Sequence, residues 1–117
     1  MEYQLSVIDD TLFKGINLLI KDKNETILGG IVGKKSLDNV ACIEHLWVDE
    51  KHRGKDLGTY LLCEFEEIAK KQGCNKVCLD TFDFQAPLFY EKNGYQLFEI
   101  LADSFAGYKR FYYSKQL

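Results

Sequence analysis

The residues best suited to chemistry in this sequence gather between Glu44 and Thr59. The run Glu44-His45-Leu46-Trp47-Val48-Asp49-Glu50-Lys51-His52-Arg53-Gly54-Lys55-Asp56-Leu57-Gly58-Thr59 reads as a strand, a basic glycine-containing loop and the start of a helix. A helix N-terminus offers backbone N–H groups without intrahelical acceptors and a partial positive charge. Glycine lets backbone approach a ligand closely, and Lys51, Arg53 and Lys55 add cationic charge. Such a combination suits a phosphate or pyrophosphate. A solvated basic turn has the same composition, and the pattern is neither G-x-x-x-x-G-K-[ST] nor G-x-G-x-x-G.

A loop of this kind works only if a strand delivers it and a helix receives it. The apolar runs Tyr3–Ile8 and Ile16–Lys21 are bounded by Asp9-Asp10 and by the turn Asp22-Lys23-Asn24-Glu25. Thr26–Gly33 and Val40–Val48 follow, so the first half of the chain is expected to be antiparallel strands. From Leu57 the period changes: Leu57, Leu61, Phe65, Ile68 and Ala69 recur at helical spacing, with charged residues opposite and Gly73 as a C-terminal cap. Val77-Cys78-Leu79 predicts a short buried strand and Ala86–Asn93 a second helix with Pro87 in its first turn. Tyr95–Ile100 and Lys109–Ser114 predict closing strands. The fold class is α+β, a mostly antiparallel mixed sheet flanked by helices, in one domain over residues 1–117.

Composition narrows the function. At 117 residues, 46% hydrophobic and 14% aromatic, the chain has material for one real core. Fifteen Lys+Arg against eighteen Asp+Glu leave a net charge of −3, which argues against a general nucleic-acid surface. No run reaches the length of a membrane helix and the N-terminus lacks a signal-peptide layout, so a cytoplasmic protein is expected. Cys42, Cys63, Cys74 and Cys78 form no C-x-x-C pair, and two histidines are few for a zinc site, so reduced, mostly buried thiols and no metal are expected.

Val48-Asp49-Glu50-Lys51-His52-Arg53-Gly54-Lys55-Asp56-Leu57-Gly58 resembles the acetyl-CoA loop of the GNAT N-acetyltransferase superfamily, [QR]-x-x-G-x-[GA] between a strand and a long helix. Downstream, Asp83-Phe84-Gln85-Ala86-Pro87-Leu88-Phe89-Tyr90-Glu91-Lys92-Asn93-Gly94-Tyr95 is similar to the family's N-x-x-A-x-x-hydrophobic-Y-x-x-x-G-[FY] helix, with Asp83 at the usual Asn position. The resemblance spans Ile16 to about Leu117. Two departures stand out. Asp56 occupies the place of a motif glycine, and little room precedes Ile16 for the helices that normally wall the acceptor site.

The resemblance implies a GNAT-like sheet splayed at its central strand and an N-acetyltransferase using acetyl-CoA by direct transfer to an unidentified amine. It places backbone at Leu46, Trp47 and Val48 against the pantetheine and thioester. Arg53, Gly54, Lys55, Asp56, Leu57, Gly58 and Thr59 fall at the pyrophosphate, and Asp83 and Phe89 complete the coenzyme contacts. Amine acetylation needs a base and a proton donor for the departing thiolate. Glu44 is the candidate base by strand parity with Cys42 and Leu46, with His45 expected on the opposite face and Asp80 as runner-up. Tyr90 corresponds by motif position to the family's proton donor. Each has a bland alternative: Glu44 an exposed strand residue, Tyr90 a core aromatic, Asp80 a turn residue. Asp56 is expected to cap the helix with its carboxylate. The competing reading is a weak or inactive coenzyme-binding module. A pure interaction domain presenting Phe111-Tyr112-Tyr113 has little support. A homodimer is expected from an under-covered sheet face near Ile16–Ile20.

Overall fold

The computed structural model describes residues 4–10, 15–36, 38–54, 56–83 and 87–117. The strands are β1 (Gln4–Asp10), β2 (Gly15–Lys21), β3 (Ile27–Lys35), β4 (Val40–Val48), β5 (Lys76–Phe82), β6 (Gln96–Phe105) and β7 (Tyr108–Gln116). The helices are α1 (Leu57–Lys71) and α2 (Pro87–Lys92), with a 3₁₀ turn at Glu50–His52. They build one mixed sheet of seven strands in the order β1-β2-β3-β4-β5-β7-β6. Asp9 and Asp10, expected to bound the first strand, lie inside it, paired with Ile16 and Gly15.

Only β4 and β5 run parallel. A parallel pair needs a crossover, and α1 supplies it. Leu57, Leu61, Leu62, Phe65 and Ala69 form its buried stripe, laid on Ile16, Leu18 and Ile20 of β2, Ile31 of β3, and Ala41 and Ile43 of β4. The helix ends as its glycine suggests: Gly73 takes φ 88° and the Cys74 N–H donates to the Ala69 carbonyl at 2.9 Å. The face expected to lie under-covered is therefore closed, with Leu18 and Ile20 at 0% exposure. α1 covers it, and the ground given for a dimer there falls. The thiols are free but not mostly buried: Cys74 is buried, Cys42 and Cys78 are half-buried and Cys63 is exposed. No helix among the described residues is long and apolar enough to cross a membrane.

Two features of β4 open the sheet. Pairing with β5 covers only Val40–Ile43 against Lys76–Leu79, so the strands diverge beyond Ile43. Against β3 the register steps from Gly33↔Ile43 to Val32↔His45, leaving Glu44 as the extra residue of a β-bulge. Bulges bend a strand and sharpen its twist, which carries the end of β4 away from β5. Gly33 permits it: a Cβ there would meet the Cys42 carbonyl oxygen at 2.3 Å and the Phe65 ring at 2.7 Å.

Candidate active site

The opening between β4 and β5 is the floor of a groove of about 1050 Å³. Leu46, Trp47 and Val48 line it from β4, and His52, Arg53 and Gly54 from the loop. Asp56, Leu57, Gly58 and Thr59 add the first turn of α1; Leu88, Phe89, Tyr90, Lys92 and Asn93 close it from α2 and its end; Thr81 comes from β5. Nearly all the residues expected from the sequence thus converge. Lys55 lies outside the described residues. Asp83 does not line the groove: its carboxylate accepts from the Lys109 N–H at 3.2 Å while its own N–H donates to the Lys109 carbonyl at 2.9 Å, tying the end of β5 to β7. Glu44 also stands outside the lining.

Past Ile43 the β5-facing backbone groups of β4 have no strand partner among the described residues, while the other side still pairs with β3. Unpaired strand backbone is a ready acceptor for an extended, amide-bearing chain. The loop beyond is stitched internally. Arg53 Nε donates to the Val48 carbonyl at 3.2 Å, and His52 Nδ1 lies 3.0 Å from the Asp49 carboxylate. That hydrogen bond from His52 holds the Asp49 carboxyl below its usual range. The first N–H groups of α1 then point, as in any helix, away from internal acceptors. The first turn is locked to α2 by close packing: a Cβ on Gly58 would stand 3.3 Å from the Phe89 ring.

Asp56 corrects one expectation. It precedes α1 at φ 61° and ψ 20°, and its side chain makes no capping hydrogen bond. A capping residue needs extended dihedrals to turn its oxygen back on the first turn, and the left-handed region denies it that. The same dihedrals explain why a glycine suits this place. The carboxylate is left exposed at the groove rim, a like charge for any phosphate bound there.

Tyr90 sits half-buried on α2, its ring edge-on to Phe89 at 5.2 Å and to Tyr95 at 5.9 Å. Burial pushes its phenol up to about 12, so the hydroxyl stays protonated at neutral pH. Glu44, extra in the bulge, is half exposed and pairs with Lys34 at 3.6 Å. The expected parity fails because the bulge resets the alternation. Ala41 and Ile43 face the core, Glu44 and His45 are both exposed, and Leu46 and Val48 return to the core side. His45 is therefore exposed like Glu44 rather than set opposite it. Asp80 is no turn residue but a β5 strand residue, 3.4 Å from Arg110. Sequence reasoning missed His52, Thr81, Leu88, Lys92 and Asn93. Four of these lie inside the two motifs, and only Thr81, buried on β5 beside the opening, carried no signal.

The model of the acetyltransferase (GNAT) family matches residues 3–95, starting upstream of Ile16, where the motif resemblance began. The chain belongs to the GNAT acetyltransferase family. Among GNAT relatives, blasticidin-S acetyltransferase of Streptomyces morookaense is 37% identical over 78 residues. That segment covers 66% of this chain and 57% of the relative, so the match spans little more than half of that enzyme. A crystal structure of an acetyltransferase from Bacillus cereus superposes with a TM-score of 0.83 at 35% identity, covering 94% of this chain and 80% of the other. An aminoglycoside 6'-N-acetyltransferase complexed with coenzyme A superposes at 0.82 with 17% identity, over 88% of this chain and 73% of that one, a likeness of fold alone.

GNAT enzymes use acetyl-CoA as cosubstrate, and the groove's chemistry fits it. Unpaired β4 backbone suits the pantetheine amides, and the α1 N-terminus with the loop cations suits phosphate. Asp56 is the one element of the lining that opposes it.

Proposed function

We propose that this chain is an acetyl-CoA-dependent N-acetyltransferase that passes acetyl to an amine by direct attack in a ternary complex. The observation carrying this reading is that the unpaired end of β4, the N-terminus of α1 and Tyr90 line one groove. Acetyl-CoA supplies the activated acyl group. Glu44 accepts the proton of the attacking amine: it stands outside the groove lining, and its place in the bulge of β4 leaves the carboxylate exposed. Asp80 is the second candidate, ion-paired with Arg110 at 3.4 Å much as Glu44 is with Lys34 at 3.6 Å. Backbone N–H groups of Leu46–Val48 hold the thioester oxygen.

Tyr90 donates a hydrogen bond to the departing sulfur. A phenol near 12 cannot hand its proton fully to a thiolate of ordinary basicity, about 8.5, without climbing several kcal/mol. It therefore stabilises the thiolate while remaining protonated. Arg53, Gly54, Lys55, Leu57, Gly58 and Thr59 take the pyrophosphate, Phe89 packs beside the pantetheine, and Asp83 acts only by bracing β5 against β7.

Asp56 favours a second reading, a coenzyme-binding module with little turnover, because its carboxylate sits where phosphate would bind. Calorimetric titration with acetyl-CoA followed by thiol release over an amine panel separates the two. Binding with release supports the enzyme, binding alone the module, and no binding removes both. A homodimer belongs to the same proposal, seated on β6 rather than β2.

A further inference from the structure

On a strand the N–H and C=O lie in the sheet plane while the side chain stands perpendicular to it, so the Trp47 side chain can meet a ligand independently of its backbone, which pairs with β3. The indole lies on the face away from α1. A Cβ on Gly30 would stand 2.4 Å from Trp47 Cη2, 2.7 Å from Cζ2 and 2.9 Å from Leu19 Cδ2, whereas a Cβ on the neighbouring Gly29 would point to Leu61 of α1. The ring thus occupies space that any other residue at position 30 would claim, and Leu19 braces it. It is nevertheless 43% exposed and borders the groove. On the exposed side of the same strand the bulge presents Glu44.

We infer that the Trp47 side chain selects the acceptor: an amine carrying a flat aromatic or heteroaromatic ring, stacked on the indole with its amino group toward Glu44. This rests on the acetyltransferase reading above. Stacking rewards a flat π-face, which a saturated ring of the same size lacks. The preference therefore separates stacking from simple hydrophobicity, under which the saturated amine would bind as well or better.

Phenethylamine and pyridylethylamine, compared with cyclohexylethylamine, test it. The aromatic amines are expected to show KM values at least tenfold lower at similar kcat. Trp47 is the chain's single tryptophan, so intrinsic emission reports the contact directly, and the aromatic amines should shift or quench it at concentrations where cyclohexylethylamine does not. Trp47→Leu should abolish the KM preference, Trp47→Phe should keep most of it, and Gly30→Ala, whose methyl group collides with the indole and pushes it aside while residue 47 stays tryptophan, should weaken it. Equal KM values in the wild type, or a preference intact in Trp47→Leu, would overturn the inference. A protein that binds no acetyl-CoA by calorimetry would sink the acetyltransferase reading, and the emission titration would still decide whether Trp47 takes a flat amine.

Discussion

Replacing Asp56 with glycine is expected to act in two directions at once. Glycine adopts φ 61° without a Cβ penalty of about 1–2 kcal/mol, offset by the greater freedom it gives the unfolded chain. Stability should hold or rise by up to about 1 kcal/mol, not fall as loss of a cap would require. Removing the rim carboxylate should tighten acetyl-CoA binding by roughly tenfold, the equivalent of about 1.4 kcal/mol, and the gain should shrink at high salt. Calorimetry at two salt concentrations and a melting curve check both. Tyr90→Phe should lower kcat with acetyl-CoA affinity nearly unchanged, because it removes a donor needed as sulfur departs and keeps the ring. The same residue predicts alkaline behaviour. Its folded pKa of about 12 lies above the ordinary value near 10, so its contribution is complete below about pH 10. That contribution is lost as pH rises toward 12, because the unfolded chain releases the proton first. Melting temperature against pH should therefore fall less steeply above pH 10 in Tyr90→Phe. A wild-type slope there would place the hydroxyl in solvent.

Among elements, the crossover helix and the last strand are joined by one polar cluster. Lys115 Nζ lies 3.0 Å from Glu66 of α1 and 3.0 Å from the Asn93 carbonyl, and the Tyr95 hydroxyl donates to Glu66 at 2.8 Å. Burial first, then the Glu66 carboxylate, drives the Tyr95 phenol far above its usual value. Lys115→Met leaves the sheltered Glu66 charge with Tyr95 alone and should cost about 2 kcal/mol in urea unfolding, with Glu66→Gln milder. The β4 bulge sets how Glu44, the proposed base, is presented. Glu44→Gln should depress activity most at low pH, where the amine is protonated, and least at high pH. A profile like wild type would move the base to Asp80 or to water. Strand, helix and strand were legible from period alone. The bulge was not, because Ile43-Glu44-His45 has no composition that marks an extra residue, and its partner Gly33 is ten residues away. That single insertion is why His45 does not stand opposite Glu44 as simple alternation predicts.

In the whole molecule most of the large apolar side chains left outside among the described residues, Ile27 and Trp47 apart, lie on β6 or next to it. Leu88, Leu97, Phe98, Ile100, Leu101 and Tyr108 each keep about two fifths or more of their surface. Strand alternation shares those on β6 between the two faces of the sheet edge, and exposed apolar patches of this kind mark interaction sites. β6 is also a free edge, able to pair with a second β6. Sedimentation velocity is expected to show a dimer that Phe98→Lys with Leu101→Lys returns to monomer. A wild-type monomer at high concentration would mean that Glu99, Asp103 and the register breaks in β6 suffice to blunt the edge. The sequence by itself determined the order of elements, the helical stripe Leu57-Leu61-Phe65, the family and the loop proposed to meet the coenzyme, because these are written in local period and in motifs of adjacent residues. Tertiary structure alone decided that α1 seals β2, that Asp56 takes a left-handed turn instead of capping, that Asp83 braces β7, and that Trp47 lies over Gly30. Each depends on which distant backbone comes alongside, and strand pairing across a sheet leaves no trace in the spacing of neighbours along the chain.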